Sequence, residues 1–205
     1  MKVRESGMPE EELWRTFFDP DRIFTLLDFT PTKADVVEFG CGYGTFTVSA
    51  ALRTSGTVYA LDIEPRMIRT TAAKVQSAAL LNVRTVMRDF LAVGTGLADG
   101  SVGYAMLFNI LHARRPVALL KEALRVLAPG GKVGVMHWIY DASTSRGPAL
   151  WIRPRPDQCR AWLRQAGFQL VVPMVSLPPY LYGTVGRKPA SPRPRLSRLS
   201  PKDLA

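Results

Sequence analysis

The spacing of apolar and polar residues changes repeatedly along the chain, and these changes predict a regular succession of strands and helices. Short apolar runs rich in valine and aromatic residues, typical of buried strands, occur at 34–39, 56–62, 82–89, 102–110 and 132–139. Segments with apolar residues every three or four positions, typical of amphipathic helices, lie between them at 44–54, 65–80 and 115–128. A helix at 156–167 and two strands at 168–177 and 180–188 follow.

This order predicts an α/β fold with a doubly wound, Rossmann-like sheet of seven strands. Consecutive parallel strands need a crossover, and the predicted helices supply one after each of the early strands. The last two strands are separated only by "PPY" and its neighbours, which is too short for a crossover. We therefore expect a mostly parallel sheet whose last strand is antiparallel.

Length, cysteine content and charge narrow the class of protein. A chain of 205 residues with two cysteines and two histidines predicts one main domain, no disulfide framework and no metal site. The start "MKVRESGMPEEE" lacks the apolar region of a signal peptide, and no apolar run is long enough to cross a bilayer. These features predict a cytoplasmic protein without a membrane partner.

Half of the net charge of +10 lies in the segment 187–205, which has six basic residues and one acid. The segment also holds several prolines and serines and almost no large apolar residues, so we expect a disordered basic tail. Such a tail could touch nucleic acid, although a solvated extension is the favoured interpretation.

A glycine loop is the main candidate binding site. In "VVEFGCGYGTFTV", three glycines at alternate positions follow a predicted strand and precede a helix, which is where ligands bind in open α/β sheets. A dinucleotide fingerprint would need a glycine at position 45, and Thr45 stands there. The acid Glu38 beside the loop would repel a pyrophosphate, but it suits a cation such as S-adenosylmethionine, which has a sulfonium and an ammonium.

The run E-F-G-C-G-Y-G resembles motif I of the class I S-adenosylmethionine-dependent methyltransferases, of a type 11-like kind. Further similar segments follow in the family's order over residues 30–186, namely "VYALDIEPRMI", "VMRDF", "DGSVGYAMLFNILH" and "LKEALRVLAPGGKVGVMHW". The resemblance implies S-adenosylmethionine as cofactor and a methyltransferase domain at 30–186, with N-terminal helices at 1–29 as a lid over the site. The implied cofactor-binding residues are Glu38, Gly40, Cys41, Gly42, Gly44, Asp62, Ile63, Asp89, Phe90 and Asn109.

Plainer roles for three of these residues stay open on the sequence alone. Asp62 could cap the helix that begins near Pro65, Asp89 could be a solvated loop acid, and Asn109 could cap the end of a strand. The run Asn-Ile-Leu-His at 109–112 differs from the Asn-Pro-Pro-Tyr of DNA and protein amide methyltransferases in the family, which counts against those substrates.

The chemistry of methyl transfer needs few catalytic groups, because the sulfonium already activates the methyl carbon and the enzyme mainly aligns the reactants. His112 and His137 are the candidates for a general base, and their plainer roles are a helix-start residue and a core histidine. We expect a small-molecule acceptor. The alternatives are an RNA or protein methyltransferase that uses the tail, a non-catalytic cofactor-binding protein, and a nicotinamide-dependent oxidoreductase. The oligomeric state stays open.

Overall fold

Seven strands form one mixed sheet in the computed structural model, which describes residues 10–144 and 147–190. The strand order is β3-β2-β1-β4-β5-β7-β6. The pairs β1–β2, β1–β4, β2–β3 and β4–β5 are parallel, whereas β7 is antiparallel to both β5 and β6. The predicted fold class, a mostly parallel doubly wound sheet with an antiparallel last strand, is confirmed. The strands are β1 Val36–Phe39, β2 Val58–Asp62, β3 Val83–Met87, β4 Val102–Phe108, β5 Leu127–Trp138, β6 Gln169–Leu177 and β7 Leu181–Arg187.

The helices occupy the positions that the apolar spacing predicts, with two differences at glycine- and loop-rich segments. The helices are α1 Glu11–Arg15, α2 Pro20–Leu26, α3 Thr45–Ala51, α4 Pro65–Ser77, α5 Phe90–Val93, α6 Pro116–Val126 and α7 Pro156–Ala166, with a 3-10 turn at Leu150–Ile152. The short α5 lies between the predicted strand at 82–89 and the predicted helix at 115–128, where no helix is expected. The segment "PGG" at 129–131 falls between the predicted helix at 115–128 and the predicted strand at 132–139. In the structure it does not separate the two, because it lies inside β5 as an irregularity where the register against β4 shifts.

Alternate residues of the strands point to two separate apolar clusters, one on each face of the sheet. Val36 of β1 packs in the cluster under α2 and α3, whereas Val37 packs in the cluster under α6 and α7. Both residues are fully buried. Glu38 has the same parity as Val36, so this acid points toward α3.

The two ends of the described chain are both attached to this core. Phe17 and Phe18 are buried near Trp138 and Phe46 respectively, so the segment between α1 and α2 packs on the sheet face that α3 covers. At the other end, the Lys188 amide donates to the Gly131 carbonyl at 2.8 Å. The sheet thus extends past the boundary of 186 that we expected for the domain, and the tail from residue 191 lies outside the described residues.

Candidate functional site

The loop between β1 and α3 turns on three left-handed glycines, with φ of 82° at Gly40, 52° at Gly42 and 74° at Gly44. Non-glycine residues rarely adopt this conformation. At Gly44 the space is also closed, because an added Cβ would lie 2.9 Å from the Thr71 hydroxyl. The same hydroxyl donates to the Gly42 carbonyl at 3.0 Å and lies 3.5 Å from the sulfur of buried Cys41. Helix α4 therefore holds the loop closely over the end of β1.

Glu38 is a buried acid directly behind this loop, with 2% of its surface exposed. The hydroxyl of Thr47 in α3 donates to Glu38 Oε2 at 2.5 Å. Burial is the main reason that the pKa of Glu38 rises to about 8; the Thr47 bond lowers it in part, and the charge of Asp62 adds to the rise. A carboxyl with this pKa is mostly protonated at pH 7, and a cation placed beside it would restore its charge.

Asp62, at the end of β2, connects the glycine loop to α4. Its Oδ2 accepts from the Gly42 amide at 3.0 Å, and its Oδ1 accepts from the Glu64 amide at 2.9 Å. The N-cap residue of α4 is Glu64, so Asp62 does not have the helix-capping role that the sequence left open for it. Burial raises the pKa of Asp62, while these amides lower it. Each carboxylate oxygen keeps a second lone pair, which leaves room for two further donors such as vicinal hydroxyls.

The next strand end brings Asp89 and Phe90 to the same edge of the sheet. The Arg88 amide donates to the Asp62 carbonyl at 2.7 Å, which places this turn beside β2. Asp89 Oδ1 accepts from the Ala92 amide at 3.0 Å and caps α5. Phe90 is buried, with its ring 5.4 Å from that of Phe39 in an edge-on contact. Ile63 is half-buried just after Asp62. Contact of these residues with a cofactor stays a prediction.

Asn109 ends β4 beside the loop and has two unusual features. Its φ is +54°, a conformation that asparagine tolerates better than most residues. Its side-chain oxygen is buried and has no hydrogen-bond partner within the described residues. A buried amide oxygen in this state costs about 1–3 kcal/mol, which a donor from a ligand would recover. The next residue, Ile110, approaches the loop, because a Cβ on Gly40 would lie 3.4 Å from its Cδ1.

The two histidines meet on the other side of this strand end. His137 Nε2 lies 3.4 Å from His112 Nδ1, and the ring planes are nearly perpendicular. The Trp138 amide donates to His137 Nδ1 at 3.1 Å, so neutral His137 carries its proton on Nε2 and donates it to His112. Neutral His112 then carries its own proton on Nε2. Burial is the largest cause that holds the pKa of His137 well below its usual range, followed by His112 and Arg153.

Comparison with known proteins shows what this chain is similar to. A family model described as a methyltransferase domain matches residues 36–131, which run from β1 into β5 and include the glycine loop, Asp62, Asp89 and Asn109. The solved structure of an S-adenosylmethionine-dependent methyltransferase from Aquifex aeolicus superposes with a TM-score of 0.76 over 84% of this chain and 90% of that one. At 21% identity this likeness shows the fold alone.

Curated relatives agree with the family model. A ubiquinone biosynthesis O-methyltransferase of Xanthomonas oryzae pv. oryzae is 27% identical over 173 residues, which cover 70% of this chain and 68% of the relative. A little under half of the chain, residues 36–131, thus matches a methyltransferase domain, and the whole fold is similar to that of an S-adenosylmethionine-dependent methyltransferase. A ribosomal protein L11 methyltransferase of Methylococcus capsulatus is 34% identical over 139 residues, but the match covers 65% of this chain and only 45% of that relative's length.

The structure adds site residues that sequence reasoning missed. Thr47 and Thr71 hold Glu38 and the glycine loop from two different helices, and no spacing rule connects them to those partners. Lys74 of α4 donates to the Tyr43 carbonyl at 2.5 Å and pairs with Glu11 of α1, which attaches the N-terminal helix to the loop. Within the described residues, no helix is long and apolar enough to cross a membrane.

Proposed function

We propose that this chain is a methyltransferase, which binds S-adenosylmethionine over the glycine loop and transfers its methyl group to a small-molecule acceptor. The observation that carries the proposal is the buried carboxyl of Glu38 behind three left-handed glycines. Ionising a buried carboxyl is costly beside a bound anion and becomes favourable beside a bound cation.

The surrounding residues fit the rest of such a cofactor. The lone pairs of Asp62 suit the vicinal hydroxyls of a ribose, Asp89 lies at the next strand end, and the Asn109 oxygen needs a donor. The contact of α1 with the loop through Lys74 supports the proposal that the N-terminal helices form a lid over the site. When bound, the cofactor supplies an activated methyl carbon and a neutral thioether as leaving group. The chain has to align the acceptor and exclude water.

His112 fits an orienting role better than that of a base. The Trp138 amide fixes the tautomer of His137, and His137 in turn fixes the tautomer of His112, whose Nε2 then carries a proton. A neutral His112 therefore cannot accept a proton at Nε2, but it can donate a hydrogen bond there. We propose that His112 orients an acceptor oxygen by donating to it, and that His137 fixes the tautomer of His112 from inside the core.

A protein acceptor is the second candidate, because the relative from Methylococcus capsulatus is named for a ribosomal protein. Methyl-labelled S-adenosylmethionine and a size-fractionated cell extract separate the two candidates. We expect label in compounds of low molecular mass. Label confined to protein or RNA would overturn the small-molecule acceptor but leave the cofactor site intact.

Thermal unfolding with S-adenosylmethionine, S-adenosylhomocysteine, NAD and NADP tests the cofactor itself. Ligand at about 100 times its dissociation constant stabilises the native state by about 2.7 kcal/mol. For a domain of this size we expect a rise in melting temperature of about 5–10 °C with either of the first two ligands. A rise with NAD or NADP alone would contradict the proposal.

A further inference from the structure

A cavity opens beside His112, which lies just after β4. It has a volume of about 380 Å³ and lies where the starts of α6 and α7 meet the ends of β4 and β5. Three of its lining residues are arginines, Arg114, Arg153 and Arg155, and none of the described residues that line it is an aspartate or glutamate. The cavity is therefore electropositive and suits an anion.

Arg153 gives this charge a fixed position. Its side chain is 6% exposed, and its guanidinium donates to the carbonyls of Pro148 at 2.7 Å and Ile139 at 3.1 Å. The carboxylate of nearby Asp141 accepts from the amide and hydroxyl of Ser143 at 2.8 and 2.7 Å. Carbonyl dipoles hold the arginine in place while the charge of Asp141 acts on it, so a ligand in the cavity meets chiefly the charges of the exposed Arg114 and Arg155.

Flat side chains form much of the remaining wall. The guanidinium of Arg155 lies 4.4 Å from the centre of the Tyr140 ring, and Trp162 of α7 also lines the cavity. Trp151 lies at the edge of the cavity with 73% of its surface exposed. Exposing this much of an indole ring is unfavourable, and a flat apolar ligand would cover it.

The cavity and the glycine loop are joined through residues 109–112. Ile110 approaches Gly40 on the loop side, whereas His112, two residues later, lines the cavity. We propose that this cavity binds the methyl acceptor and that the acceptor is a flat, ring-containing molecule with a carboxylate, which the arginines and the His112 Nε2 proton hold. This inference rests on the proposed function and names its substrate class.

Two probes of the same shape and different charge test it, 2-naphthoate and its neutral amide, 2-naphthamide. Calorimetry on the full chain saturated with S-adenosylhomocysteine measures the affinity of each. We expect naphthoate to bind about tenfold more tightly, since a charge-assisted hydrogen bond is about twice as strong as a neutral one.

Variants of the cavity arginines test the source of this preference. Arg114→Gln and Arg155→Gln, both at exposed positions, should each reduce the preference for naphthoate several-fold. Arg164→Gln, an exposed position of α7 that does not line the cavity, removes the same charge and should leave the preference unchanged.

Equal binding of the two probes would overturn the inference, as would an unchanged preference in both cavity variants with normal melting temperatures. Binding of S-adenosylhomocysteine in the same samples keeps the two proposals apart. If that ligand binds and the probes show no charge preference, only the acceptor class fails. If that ligand does not bind, the proposed function fails, and the probes on the chain alone still decide whether the cavity selects anions.

Discussion

The raised pKa of Glu38 predicts that binding of a cationic cofactor releases a proton. In the protein alone this carboxyl has a pKa of about 8, mainly because burial penalises its charge. At pH 7 it is then about 90% protonated. A sulfonium or ammonium beside it favours the ionised form and lowers its pKa. Binding S-adenosylmethionine at pH 7 should therefore release about 0.9 proton per chain.

The same linkage sets how affinity depends on pH. Ionising a carboxyl of pKa about 8 at pH 7 costs about 1.4 kcal/mol, and at pH 6 about 2.7 kcal/mol. Between pH 6 and 7 the Glu38 carboxyl is mostly protonated in the protein without cofactor, whereas binding of the cationic cofactor requires its ionised form. The dissociation constant should therefore fall about tenfold as pH rises from 6 to 7.

Calorimetry in two buffers of different ionisation enthalpy, phosphate and Tris, measures the proton release directly. Glu38→Gln should abolish the release, because the amide does not titrate. Thr47→Val removes the hydroxyl that donates to Glu38 but keeps the carboxyl, so this control should still release close to one proton. A wild-type chain that binds with no proton release, or a Glu38→Gln variant that releases as much as wild type, would refute the reasoning.

Three further predictions concern the loop and the histidines. Gly44→Ala should cost more stability in urea unfolding than Gly130→Ala, because both have positive φ but only Gly44 faces a neighbour, at 2.9 Å; equal costs would contradict this. The depressed pKa of His137 predicts a contribution to stability that is present above pH 6.5 and is lost as pH falls, by up to about 1.4 kcal/mol per pH unit. His137→Gln should flatten that loss in denaturant titrations, and an unchanged slope would contradict the prediction. If His112 orients the acceptor, His112→Ala should keep turnover within about tenfold in a methyl-transfer assay, whereas a pH-linked loss of about 10²–10⁴-fold would make it a base.

The sequence predicts those parts of the molecule that local rules govern. The change between strand and helix spacing predicts the seven strands. The loop glycines lie at the three positions of the loop where the backbone has a left-handed conformation. The "PGG" segment was misplaced because a helix end and an irregular strand use the same residues. The helix α5 was missed because its four residues are too few for a periodic signal.

The parts that the sequence does not predict depend on contacts between distant segments. The two histidines are 25 residues apart and touch only because β4 and β5 are parallel neighbours. The arginine-lined cavity needs the starts of α6 and α7 to meet, which no periodicity specifies. The ionisation of Glu38 depends on how deeply α3 buries it, and a residue pattern does not record depth.

The cofactor site is tested most directly by the affinity of S-adenosylhomocysteine for the wild-type chain and for Asp62→Ala and Asp62→Asn, measured by calorimetry. We expect one ligand per wild-type chain. We also expect Asp62→Ala to lose about 1–3 kcal/mol of binding free energy, since a charged acceptor of two hydroxyls is removed. Asp62→Asn keeps one acceptor oxygen toward the loop amides and should lose less. Absence of binding to the wild-type chain, or unchanged affinity in a folded Asp62→Ala variant, would contradict the assignment of the cofactor to this loop.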